Sequence, residues 1–358
     1  MNPLLDKLAI IAITKNGIEI AKKVGARLPS SQIYSPSKLS TGDSSIIWFD
    51  EPTTAKVGEL FKSHEALACI FSLGAVIRLI SPHMKDKKTD PAVVVIDDAG
   101  KFVISTLSGH LGGANRLSEE IAGIIGATPV ITTAADVNKT IAVDLVGREF
   151  GWQIEDDSTV TKVSAFMVND EKIGVFQDAG ERDWWMPKRE LPKNVQVFAT
   201  IDDMLRSDCK GFLIISDRKI QDGAVLGRAV IYRPRTLVVG VGLHWDTTRD
   251  TIREGLEFCL SKFGLSAKSI AKFASIKKEA QVAGLLEIAG EMKVPVDYYE
   301  KQDLAGVTIP NPSDVVQSFE GTPSVSEAAA IKSSGGTLVV EKQKFPPNLT
   351  IAIARILK

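Results

Sequence analysis

Apolar residues run unbroken over 8–13, the pattern of a strand covered on both faces. Helical spacing follows over 18–24, and SIIWF (45–49) predicts a second strand. The alternation continues with helical character over 59–68, CIFSL (69–73) as a strand, and GAVIRLI (74–80) as a helix stopping near Pro82. AVVVI (92–96) and KFVIS (101–105) are β-branched runs joined by DDAG, which predicts a hairpin. A helix after His110 and the strand PVITT (129–133) complete the stretch. Alternating strands and helices predict an α/β sandwich with a largely parallel sheet.

Beyond residue 138 the pattern is less regular. SAFMV and KIGVF flank VNDEK and predict a hairpin, RDWWMPKRELP (182–192) reads as a loop, and GFLIIS (211–216) as a strand. These features predict a smaller α/β domain. YRPRTLVVGVGLHWDTTRDTIREGL (232–256) starts afresh as strand, glycine turn and helix, with Thr247 and Asp250 at capping-box spacing. FASI, a helix over 284–292 and PVDYY follow. Asn311 before Pro312 predicts a helix start. SVSEAAAIKSSGG (324–336) predicts another helix, with Ser324 and Glu327 at capping-box spacing and Gly335 at its end. LTIAIAR closes as a strand. The expected division is an N-terminal α/β domain (1–137), a middle domain (138–232) and a C-terminal α/β domain (233–358).

Charge adds little: 43 Lys and Arg against 44 Asp and Glu give a formal net charge of −1. Nothing in that balance draws the chain to nucleic acid or an anionic membrane. P-loop, HExxH and GxSxG motifs are all missing. VVGVGLHWD fails the dinucleotide fingerprint because Trp245 stands where the third glycine belongs. Cys69, Cys209 and Cys259 form no CxxC, so the sequence signals neither a zinc site nor a dithiol centre. No apolar run approaches the ~20 residues of a membrane span, and the first residues read as a strand rather than a leader. A soluble cytoplasmic protein is expected.

Candidate chemistry centres on LSGHLGGANRLSEEI (107–121). Gly109, Gly112 and Gly113 permit unusual dihedrals, Asn115 suits an N-cap, and Leu117, Ile121, Ile124 and Ile125 share a helical face. This turn follows a strand ending near Ser105, the edge where open α/β sheets bind ligands. His110 there suits general acid–base work, or only hydrogen-bonds the turn. Lys85, Lys87 and Asp90 lie in a charged run that is either a solvated face or a receiver of carboxylates. Gly240 and Gly242 bring backbone N–H groups toward a carboxylate, or make a turn without a ligand. Trp184 and Trp185 stack on a planar ligand or cover a loop.

Several stretches together resemble the cobalt-precorrin-5A hydrolases (cobalamin biosynthesis protein G). They are LSGHLGGAN with GATPVITTAADV, FSLGAVIRLISPHMKDKKTDPAVVVIDDAGKFVIS, VVGVG, IPNPSDVV, and GTPSVSEAAAI with EKQK. The likeness covers 74–137 and 236–355, and reaches 138–232 mainly by position. It implies opening of the ring A δ-lactone of a cobalt corrinoid, with C20 and its methyl group expelled as acetaldehyde to give cobalt-precorrin-5B. The reaction belongs to the anaerobic route to vitamin B12. The cobalt is the substrate's own, so the resemblance implies no cofactor and no protein metal site.

Under this resemblance His110 activates water, and Asn115 or backbone N–H groups of the turn hold the oxyanion. Lys85 and Lys87 receive peripheral carboxylates. Implied substrate contacts extend to Asp90, Gly109, Gly112, Gly113, Thr132, Thr133, Gly240, Gly242, His244, Asn311, Ser313, Ser324 and Lys342. Where many members carry Cys and then basic residues, this chain has Leu243, His244 and Trp245, and His244 takes the basic role. The implied partner is a small-molecule corrinoid, with neither nucleic acid nor membrane. A homodimer is the modal expectation for a soluble oligomer, and an interdomain cleft suits so large a ligand. Two other classes stay open: a non-catalytic carrier of corrinoid intermediates, and an unrelated α/β module that binds carboxylate or phosphate.

Overall fold

The computed structural model describes residues 7–86, 89–110, 112–138, 140–185, 190–313 and 323–357. Two compact units divide the chain, Met1–Leu145 and Val146–Lys358. The protein is mixed α/β, with one sheet in the first unit and two in the second.

The first unit has strands β1 (Leu8–Ala12), β2 (Gln32–Pro36), β3 (Ile46–Phe49), β4 (Ala66–Ile70), β5 (Ala92–Ile96), β6 (Phe102–Leu107) and β7 (Thr128–Val130). They form one sheet in the order β3-β2-β1-β4-β5-β6-β7. β1 to β5 are parallel, β6 runs antiparallel to β5, and β7 is parallel to β6. Helices α1 (Lys15–Arg27) and α4 (Ala114–Ile125) cover one face, where Ile18, Val24, Leu117 and Ile121 meet Leu8, Ile10 and Ala12. Helices α2 (Thr53–Ser63) and α3 (Leu73–Ile80) cover the other, with Val57, Leu60 and Val76 against Ala9, Ile11 and Leu67. Alternate residues of β1 thus enter different cores, which is why its apolar run is continuous.

Residues 59–68 do not form the expected helix. Helix α2 ends at Ser63 and β4 starts at Ala66, three residues before the expected strand. Ala66, Leu67 and Ala68 favour helix locally, but full burial in the sheet centre overrides that preference. A short α5 (Ala134–Val137) follows β7.

In the second unit, β8 (Gln153–Ile154), β9 (Ile173–Gln177), β10 (Val195–Phe198), β11 (Gly211–Ile215) and β12 (Ala229–Arg233) form a sheet ordered β10-β9-β11-β12-β8. SAFMV lies in helix α6 (Val160–Val168), not in a hairpin. Its Val163 and Met167 are buried at i,i+4 spacing, so a helical period outweighs the short apolar run. Helices α7 (Ile201–Arg206) and α8 (Gly223–Leu226) complete this part.

The last sheet is ordered β15-β14-β13-β17-β16, from β13 (Leu237–Leu243), β14 (Ile270–Ile276), β15 (Val296–Tyr299), β16 (Thr337–Phe345) and β17 (Leu349–Arg355). Helices α9 (Arg249–Lys262), α10 (Ala283–Met292), α11 (Lys301–Ala305) and α12 (Val325–Ser334) accompany it. Two local expectations change here. The cap of α9 is Thr248, whose hydroxyl accepts from the Thr251 N–H, whereas Thr247 is buried against His244 and Asn348. Gly240 and Gly242 lie inside β13, not in a turn. A side chain at Gly240 would collide with the backbone of α12 at Ser326 and Ala330, so this glycine lets helix and strand touch.

Asp217 ties the two sheets of this unit together. It is fully buried, receives Arg355 Nε at 2.7 Å and Nη2 at 2.5 Å, and accepts from Thr236 Oγ1 at 2.8 Å. Breaking a buried pair strands the remaining charge. Asp217→Ala is expected to destabilise this unit by about 3–5 kcal/mol, measured by urea unfolding.

Burial pushes the Cys69 thiol up to about 12 and the Cys259 thiol up to about 11. Reactivity belongs to the thiolate. Iodoacetamide at pH 8 is therefore expected to leave both unmodified in the folded protein and to label both in urea. Mass spectrometry reads the difference. Among the described residues no helix is long and apolar enough to cross a membrane.

Candidate active site at the histidine turn

The turn between β6 and α4 is built by close approach. Cβ atoms at Gly109 and Gly112 would collide with the Asn115 carboxamide and with Ser108 respectively. Gly113 has φ 86° and itself occupies the N-cap of α4. Asn115 is therefore not the cap. It lies within the first turn, 8% exposed, with Oδ1 accepting from Ser105 Oγ at 2.6 Å and Nδ2 donating to Thr133 Oγ1 at 2.9 Å. Its amide ties β6, α4 and the segment after β7 together. Asn115→Ala is expected to cost about 1–3 kcal/mol of unfolding free energy by removing a buried amide that two half-buried hydroxyls bond, read by urea denaturation.

Ser108 holds a positive φ of 54°, a conformation that costs a non-glycine residue about 1–2 kcal/mol. Its hydroxyl donates to the Asp90 carbonyl at 3.0 Å, and the Ala114 N–H donates to its own carbonyl at 3.2 Å. Strain held this firmly is characteristic of functional turns. Asp90 in turn receives the Lys85 N–H on both carboxylate oxygens at 3.0 Å. Asp90 thus shapes the loop, while the Lys85 side chain is exposed. Lys87 lies outside the described residues.

His110 faces a carboxylate that the sequence reading missed. Its Nδ1 lies 3.6 Å from Asp144 Oδ1, with both side chains mostly buried. That distance suits an ion pair once the imidazole is protonated, and orients the ring through Nδ1. Asp144 is 34 positions downstream, so no local motif joins the two. The available signal was a lone acid between Ile141, Val143 and Val146, all buried.

The position of the turn also differs from expectation. Leu107 of β6 pairs with Val93 at the start of β5. The turn lies at the carboxyl ends of β6 and β7 but at the amino ends of β4 and β5, because the hairpin reverses direction. Lys85, Asp90, Gly109, His110, Gly112, Gly113, Asn115, Thr132 and Thr133 share this edge.

The remaining candidates fall in the second unit. Gly242, His244, Ser324 and Lys342 line one cleft of 320 Å³. Asn311 joins Lys342 through a bond from Nζ to its carbonyl, and donates from Nδ2 to Glu327 at 2.8 Å and Glu341 at 2.9 Å. The capping box at α12 does not form: Ser324 makes no capping bond, and Glu327 is committed to Asn311 and to the Lys342 N–H. The helix expected to open at Asn311 falls largely outside the described residues. Gly240 is sealed under α12, and Ser313 donates its N–H to the Pro323 carbonyl at 2.9 Å.

The first unit thus holds a histidine in a braced glycine turn that faces a carboxylate distant in sequence. Three family models match in succession: cobalamin synthesis G N-terminal over 55–136, cobalamin biosynthesis central region over 141–234, and cobalamin synthesis G C-terminus over 237–354. The chain belongs to the cobalamin biosynthesis protein G family. It is 42% identical to the cobalt-precorrin-5A hydrolase of Priestia megaterium, covering 97% of this chain and 94% of that protein. It is 30% identical to the cobalt-precorrin-5A hydrolase of Salmonella typhimurium, with 94% of each covered. A cobalamin biosynthesis protein G homologue from Sulfolobus solfataricus, known from its crystal structure, aligns at 22% identity and a TM-score of 0.39, over 99% of this chain and 98% of that one.

Proposed function

We propose that the protein is a cobalt-precorrin-5A hydrolase, with His110 as its general base. The observation that carries the base assignment is His110 facing Asp144 from a turn too tightly braced to be filler. The reaction follows from the family and from the 42% identity to a hydrolase of that name.

Water adds to the carbonyl of the ring A δ-lactone as His110 Nε2 takes its proton. Asp144 stabilises the imidazolium through Nδ1. Backbone N–H groups of the glycine turn hold the oxyanion, since Asn115 is committed to Ser105 and Thr133. The oxygen on C20 leaves the acyl carbon and recovers the proton, giving a carboxylate and a C20 hydroxyl. As the C20 hydroxyl gives up its proton to solvent, C20 departs with its methyl group as acetaldehyde and the macrocycle accepts the electron pair of the broken C–C bond. One water is consumed and cobalt-precorrin-5B is formed, with cobalt remaining part of the substrate. Lys85, exposed, and Lys87 steer the anionic periphery through their charges. We further propose that the protein works in the cytoplasm as a homodimer.

Purified protein incubated with cobalt-precorrin-5A, with aldehyde coupled to NADH oxidation by alcohol dehydrogenase, tests the reading. One equivalent of acetaldehyde is expected. Corrinoid binding without aldehyde would favour a carrier.

A further inference from the structure

The cleft of 320 Å³ in the second unit holds features that the hydrolytic step does not use. Helix α12 runs for ten residues and begins at its wall. The first N–H groups of a helix have no intrahelical acceptor and carry a partial positive charge. Ser324 is the N-cap residue, yet its hydroxyl makes no capping bond. It is 1% exposed, lines the cleft, and its Oγ has no hydrogen-bond partner. A buried hydroxyl without a partner costs free energy unless something arrives to satisfy it.

The strand opposite packs closely against β17 and α12 at this point. Gly242 lines the same cleft, and a side chain there would collide with Thr350 Oγ1 and lie 3.8 Å from the Ser326 nitrogen. Two lysines, Lys342 and Lys344, complete the polar wall. Burial lowers the Lys342 ammonium below its usual value, and its Nζ is held by the Asn311 carbonyl. Lys344 is exposed at the rim. Glu327 is held by Asn311 Nδ2 and the Lys342 N–H, and Asp246 by His244 and Asn348. Val325 and Ile276 supply an apolar side wall.

We infer that this cleft is a carboxylate subsite, taking one acetate or propionate arm of a corrinoid at the N-terminus of α12. The methylene groups lie along Val325 and Ile276, and the carboxylate receives the helix N–H groups, Ser324 Oγ–H and Lys344 Nζ. This deepens the proposed function and rests on its corrinoid substrate, but it is read by a different measurement.

The full-length protein is titrated spectroscopically with dicyanocobyrinic acid, whose peripheral carboxylates are free, and with its neutral heptamethyl ester. The acid is expected to bind at least about tenfold more tightly, since hydrogen bonds to a charged acceptor are the stronger kind. Ser324→Asp places a carboxylate on the helix N–H groups and is expected to weaken the acid about tenfold while leaving the ester unchanged. Lys344→Gln, at an exposed position that does not threaten folding, is expected to weaken the acid two- to fivefold, by about the worth of one exposed charge. Equal affinity for acid and ester, no binding of the acid, or unaltered acid binding in both variants overturns the subsite. Acetaldehyde release is scored separately. Full turnover with equal affinities removes the subsite and keeps the hydrolase. No turnover with clear discrimination keeps the subsite and removes the hydrolase.

Discussion

His110→Ala is expected to lower the rate of acetaldehyde release about 10²–10⁴-fold, the usual worth of a positioned general base. The loss should fall on kcat, because the proton moves in the transition state and contributes little to ground-state binding. Folding should survive. Gly109, Gly112, Asn115 and Ser108 brace the turn without using the imidazole. Asp144→Asn keeps the shape beside Nδ1 but removes the charge that stabilises the imidazolium, and about a tenfold loss is expected from one weakened electrostatic contact. A His110→Ala protein with wild-type turnover would leave the glycine turn as architecture alone.

Gly240→Val is the substitution expected to harm folding most. The added atoms would enter the backbone of α12 at Ser326 and Ala330, where only rigid groups lie. Overpacking a core commonly costs about 1–3 kcal/mol, and a clash with helical backbone should exceed that range. The helix is seated on β13, β14 and β17, so its displacement disturbs the whole C-terminal sheet. Urea unfolding followed by tryptophan fluorescence is expected to show a transition for this unit at markedly lower denaturant. Gly123→Ala, a helical position in α4 where a Cβ meets nothing within 4 Å, serves as the control and should be neutral or slightly stabilising.

The sequence made most strands of the first unit legible because both sheet faces are covered, which leaves apolar runs such as AVVVI with no competing reading. It missed β2, whose QIYSP mixes polar residues and a proline with two apolar side chains. It misplaced β4 because Ala66, Leu67 and Ala68 carry helical preference that burial overrides. It misread SAFMV because a short apolar run hid the i,i+4 pair Val163 and Met167. The histidine turn stood out through its glycines. Its partner Asp144 did not, because that pairing is tertiary and lies in an irregular segment. Gly240 and Gly242 read as a turn, with or without a ligand, since a glycine that admits a helix and one that opens a turn look alike in one dimension. Ser324 and Glu327 had capping-box spacing, yet Glu327 is drawn away by Asn311 and Lys342, and no pattern within α12 records that competition.

The most direct measurement is the mass of the corrinoid product after a single turnover in water enriched in oxygen-18. Attack on the lactone carbonyl puts one heavy oxygen into the ring A carboxylate. The account therefore predicts a corrinoid that has lost acetaldehyde and gained one labelled oxygen. An unchanged corrinoid, or one that has lost acetaldehyde without taking up label, would contradict it.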